Sequence, residues 1–72
     1  MNVWHERRQR AANDKARILD LLVGSSGLTA AEVAERLSLS RARASQLLTD
    51  LYWYSRLVRR GTPWRYSLRR LS

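Results

Sequence analysis

The stretch TAAEVAERLSLSRARASQLLTDLYWYS, residues 29–55, decides how the rest of the chain is read. It divides into two helical segments separated by Ser38, Leu39 and Ser40. Thr29 followed three residues later by Glu32 is a capping box, in which the threonine oxygen accepts from the amide of Glu32 and the carboxylate accepts from the amide of Thr29. Leu28 and Val33 supply the apolar pair that staples such a start. Ala30, Val33, Ala34 and Leu37 then recur at helical spacing, which predicts a helix over 30–37. Ser40 can cap a following helix with Ala44, Leu47, Leu48 and Leu51 on its inner face. Arg41, Arg43, Ser45, Gln46 and Thr49 fall on the outer face, and this helix is predicted to end near Tyr54 or Ser55.

Upstream, Ala12, Ala16, Leu19 and Val23 interleave with Lys15, Ile18 and Leu22, which predicts one more helix with an apolar face. Asn13 can cap a short version of it, with Asp14 near its positive end. Gly24, Ser25, Ser26 and Gly27 stop it, because glycine tolerates the left-handed geometry that closes helices. Residues 1–12 carry no decisive periodicity and are read as a basic arm or as an extension of this helix, leaving 13–72 as the domain.

Downstream, Leu57, Val58, Arg59 and Arg60 predict a strand, Gly61 to Pro63 a turn, and residues 64–68 a second strand. Trp64, Tyr66 and Leu68 alternate with Arg65 and Ser67, so one face is expected to pack on the helices, with Trp64 and Tyr66 as the plug. The fold class is therefore mainly α, with three helices and a small β-hairpin. A hairpin is marginal alone and must lean on the helical core.

Composition narrows the function. A chain of 72 residues has room for one modest core, since it buries only about 60% of its unfolded surface. The formal charge is +8, and thirteen of the fourteen basic residues are arginine, the residue suited to planar recognition of phosphate and guanine. Residues 41–72 hold eight arginines against Asp50, a net +7, whereas residues 11–40 hold three bases against four acids, a net −1. One end of the molecule is thus expected to steer a polyanion.

Other chemistries find little support. There is no cysteine for a disulfide or thiolate metal site, and His5 is the single histidine, so neither a metal centre nor a Ser-His-Asp constellation is expected. Nor is there a glycine-rich phosphate loop. The reading is that the chain is no enzyme, uses no cofactor, and acts in the cytoplasm without a signal or membrane segment.

The order helix, helix, turn, helix, hairpin resembles the winged helix-turn-helix family of DNA-binding domains over residues 13–68. The resemblance rests on Ala34 at a tight helix crossing, Ser38 in the turn, Ser40 as cap, Ala44 on the third helix, and Leu51 with LVRR entering the wing. Three features depart from that pattern. Serine stands at Ser38, where the family commonly places glycine for a positive φ, Ala44 replaces a larger apolar residue, and Tyr52, Trp53 and Tyr54 stand where charged residues are common.

The resemblance implies that helix 41–54 enters a major groove of double-stranded DNA and that wing 57–68 lies on the backbone. Arg43, Ser45 and Gln46 are then expected at base edges, and Ser40, Arg41, Thr49, Arg59, Arg60 and Arg65 at phosphates. The function implied is that of a small transcriptional regulator acting by occupying its site. GTPW, residues 61–64, is also similar to the wing of the Z-DNA-binding winged helices. Ser45 and Thr49, however, stand where those domains use asparagine and tyrosine. A competing reading makes the chain a protein-binding adaptor of phage or bacterial type, with Trp4, Trp53 and Tyr54 as the surface for a partner or a second copy.

Overall fold

The computed structural model describes residues 3–69, with side chains from residue 10 onward except at position 11. Three helices and a three-stranded antiparallel sheet follow in the order α1 (Val3–Leu22), β1 (Leu28–Thr29), α2 (Ala30–Leu37), α3 (Arg41–Trp53), β2 (Leu57–Arg60) and β3 (Arg65–Leu68). The core holds Ile18 and Leu22 of α1, Val33 and Ala34 of α2, Ala44, Leu47, Leu48 and Leu51 of α3, and Leu57 and Tyr66 of the sheet.

Each boundary of the central pair has a local cause. At the start of α2 the Glu32 amide donates to Thr29 Oγ1 at 3.2 Å and the Thr29 amide donates to Glu32 Oε1 at 3.0 Å, which is the expected capping box. At its end Ser38 adopts φ 56°, and the Leu39 amide donates to the Ala34 carbonyl at 2.9 Å. This is a left-handed closure that glycine would make at lower cost. Ser40 Oγ then accepts from the Arg43 amide at 3.1 Å and starts α3. The same closure recurs at the far end, where Ser55 has φ 60° and the Arg56 amide donates to the Leu51 carbonyl at 2.9 Å.

Four expectations are corrected. Asn13 does not cap α1, because the helix already runs from Val3 and position 13 lies inside it. Nor is Asp14 near a positive helix end. The apolar face of α1 centres on Ile18 and Leu22, while Ala12 and Ala16 are exposed and Val23 is 63% exposed. Both series recur at helical spacings of three and four residues, and only packing against α3, α2 and β3 selects between them. Finally, Trp64 is not part of the plug, which Tyr66 forms with Leu57 and the partly buried Leu68. Trp64 sits in the turn before β3 with half of its surface in solvent.

The sheet gains a strand that the sequence pattern did not suggest. Its order is β1-β3-β2, with Leu28 opposite Tyr66 and Thr29 opposite Arg65 on one side of β3. On the other side Leu57 stands opposite Leu68 and Arg60 opposite Arg65. Thr29 is therefore both the last residue of β1 and the cap of α2. No helix among the described residues is long and apolar enough to cross a membrane.

Candidate functional site

Successive residues of an α-helix are turned by about 100°, so the four buried positions of α3 also fix what it presents outward. Opposite Ala44, Leu47, Leu48 and Leu51 lies a strip of Ala42, Gln46, Thr49 and Trp53, with Ser45 beside it. Ala42, Ser45, Gln46 and Trp53 are exposed and Thr49 is half-buried. The strip contains no carboxylate. Thr49 Oγ1 donates to the Ser45 carbonyl at 2.8 Å, which leaves the hydroxyl oxygen outward as an acceptor.

The two flanks of this strip are built differently. On the hairpin side, Arg41 and Ser45 line a cleft of about 220 Å³ together with Ala30, Ala31, Pro63 and Trp64. Its open mouth lies between the first turn of α3 and the hairpin tip. Arg41 is exposed on this flank and is the cation nearest the cleft.

Behind the cleft, Arg59 meets two rings. Its guanidinium carbon lies 3.5 Å from the Trp64 centroid and 4.0 Å from the Tyr52 centroid. Tyr52 in turn meets Trp53 edge-on, with centroids 6.2 Å apart and planes at 73°. A continuous row thus runs from the end of α3 to the hairpin tip. The aromatic residues at the end of the third helix stand out in the sequence, but Trp64 was expected in the core and Arg59 on phosphates, and the contact that joins them was not legible there.

The flank facing α1 is a set of ion pairs. Asp14 Oδ2 lies 3.3 Å from Arg43 Nη2, and Asp14 Oδ1 lies 3.5 Å from Arg17 Nη1. Two turns further along α3, Asp50 Oδ2 lies 3.8 Å from Lys15 Nζ, which is itself 5.4 Å from the Tyr54 ring centroid. Arg43, expected on the outward face, is therefore drawn sideways toward α1. Asp50, the one acid of α3, is paired away from the exposed strip.

The remaining arginines of the hairpin also differ from one another. Arg65 Nη1 lies 3.3 Å from Glu32 Oε1 and 3.5 Å from the Gly27 carbonyl oxygen. Glu32 has its carboxyl pKa lowered, first by the Thr29 amide and then by the Thr29 hydroxyl, Arg65 and Arg36. Arg60 is exposed and makes no ion pair or side-chain hydrogen bond among the described residues. Ser40 uses its oxygen as the α3 cap, and its hydroxyl proton remains free to donate. Arg56 and Arg69, also exposed, meet at the base of the hairpin, where the Arg69 amide donates to the Arg56 carbonyl at 3.1 Å. Sequence reasoning counted this pair only within the net charge.

Trp53 and Tyr54 are 75% and 72% exposed, yet they do not form one cluster, since Trp53 leans on Tyr52 and Tyr54 lies near Lys15. The Trp4 side chain lies outside the described residues. Among those residues no three His, Cys, Asp or Glu side chains come together as a metal site would require. The chain matches no protein-family model, and its comparison with curated proteins and with solved structures gives no match.

Proposed function

We propose that the chain is a winged helix-turn-helix domain that binds double-stranded DNA, with α3 in the major groove and the β2–β3 hairpin as a wing on the backbone. The observation that carries this reading is the exposed, carboxylate-free strip of α3, bounded by Arg41 and faced across a cleft by the hairpin tip. At 13 residues, α3 is about 20 Å long, and a helix of its width fits a major groove about 12 Å across. Gln46 and Ser45 offer hydrogen bonds to base edges. Arg41 and Arg60 are the cations best placed for phosphates, where they fix register rather than read sequence. The function that follows is a compact regulator acting by occupation of its site.

Titration of duplex DNA at several salt concentrations tests this directly. Phosphate neutralisation releases counterions, so affinity must fall steeply as salt rises. A flat response, or no binding at low salt, rejects the reading.

A second reading is favoured by Trp53 and Tyr54, whose large exposed rings suit a protein surface. Sedimentation of the chain with Trp53→Ala tests whether copies of the chain meet through this residue. A fall in molecular mass supports self-association through Trp53, and a mass unchanged from that of the parent chain removes Trp53 from any contact between copies.

A further inference from the structure

Asp14 is the buried acid of the described residues, 8% exposed in the middle of α1. Its two oxygens face different arginines, Arg17 of its own helix and Arg43 from the first turn of α3. The contact with Arg43 uses one guanidinium nitrogen, and arginine carries five N–H donors in a planar fork. The hydrophobic contact between α1 and α3 is already closed by Ile18, Leu22, Ala44, Leu47 and Leu48.

We infer that Asp14 is a positioning residue that sets what Arg43 can recognise, neutralising its charge toward phosphates while holding it at the α1 flank of the strip with donors left over for a guanine edge. The inference rests on the DNA-binding reading above. A phosphate approaching Arg43 also meets the Asp14 carboxylate 3.3 Å from its Nη2, and repulsion between the two anions offsets much of the attraction. A guanine presents two neutral acceptors, O6 and N7, to which an arginine already oriented can add contacts without surrendering its carboxylate. Arg43 held in this way contributes to sequence discrimination and little to indiscriminate attraction.

The test compares a random-sequence duplex with a duplex selected from a random pool, each titrated at several salt concentrations. Asp14→Asn is expected to raise affinity for the random duplex about fivefold and to steepen its salt dependence by about 0.9, the increment for one added phosphate contact. Discrimination between the two duplexes should fall. Adding Arg43→Ala to Asp14→Asn should abolish the gain, and Asp14→Glu should restore most of the discrimination. Asp20→Asn, which removes an exposed acid from the same helix, controls for net charge and should produce a smaller gain.

Equal gains for Asp14→Asn and Asp20→Asn, or a gain that survives Arg43→Ala, overturn the assignment. Should Asp14→Asn fail to fold, the guanidinium nitrogen resonances of Arg43 in the parent chain give the same answer. They should shift with the selected duplex and stay in place with the random one, and equal shifts overturn the proposal. If the parent chain shows no salt-dependent binding to either duplex, the DNA-binding reading falls and takes this inference with it. If it binds while the Asp14 variants behave as the parent, this inference alone falls.

Discussion

The guanidinium carbon of Arg59 lies over the ring of Trp64, 3.5 Å from its centroid, and over that of Tyr52, 4.0 Å from its centroid. This joins β2 to the hairpin turn and to α3 through one side chain. Two cation–π contacts at a partly exposed site are worth about 0.5 to 1 kcal/mol each. Arg59→Ala is therefore expected to lower unfolding stability by about 1 to 2 kcal/mol, measured by urea denaturation. A variant as stable as the parent would mean that the stack contributes nothing.

Arg60, its neighbour, should behave in the opposite way. It is exposed and makes no ion pair or side-chain hydrogen bond among the described residues, so Arg60→Ala should leave the urea midpoint unchanged. On the DNA-binding reading, it should weaken random and selected duplexes alike and reduce the salt slope by about one. Loss confined to the selected duplex would move Arg60 from the phosphates to the bases.

Ser38 is exposed and closes α2 with φ 56°, a conformation that costs a residue with a Cβ about 1 kcal/mol relative to glycine. Ser38→Gly should consequently stabilise the protein, partly offset by the greater freedom that glycine gives the unfolded chain. A higher thermal midpoint is the expected result. A lower one would show that the serine side chain holds the turn by itself.

The capping box predicts a response to acid. Hydrogen bonds from Thr29, together with Arg65 and Arg36, lower the pKa of Glu32 from its ordinary value of 4.5 in the folded chain. The stabilisation is complete above that ordinary value and is lost as the pH falls through the lowered one, where the carboxylate finally takes a proton. Stability measured across this range should decline more steeply for the parent chain than for Glu32→Gln. Parallel curves would mean that the carboxylate is held no better folded than unfolded.

The parts of the fold that can be read in the sequence are those determined by neighbours along the chain. Thr29 with Glu32, Ser40 with the Arg43 amide, and the leucines of α3 all act within one or two helical turns, and α2 and β2 have the predicted limits. Ser38 adopts the positive φ expected of its position. What escaped depends on partners distant in sequence. Two residues, Leu28 and Thr29, are too few to alternate, so β1 exists only because β3 returns to pair with it.

The same reasoning applies to the candidate site. The outward direction of Ser45 and Gln46 follows from helical phase and the leucines beneath them. The sideways path of Arg43 follows from Asp14, 29 residues earlier, and periodicity carries no trace of that pairing. Trp64 was expected inside because it alternates with Arg65, but its ring is held outside the core against Arg59.

Thr29 has a mechanical consequence as the residue at which β1 ends and α2 begins. With β1 on one side and β2 on the other, β3 has no free edge along which the hairpin could hinge. A load applied at the Pro63 turn passes through the pairing of Arg65 with Thr29 into the first turn of α2, and from there across Ser38 to α3. Hairpin and helices are therefore mechanically coupled, and a tilt imposed on the hairpin tip is carried toward α3.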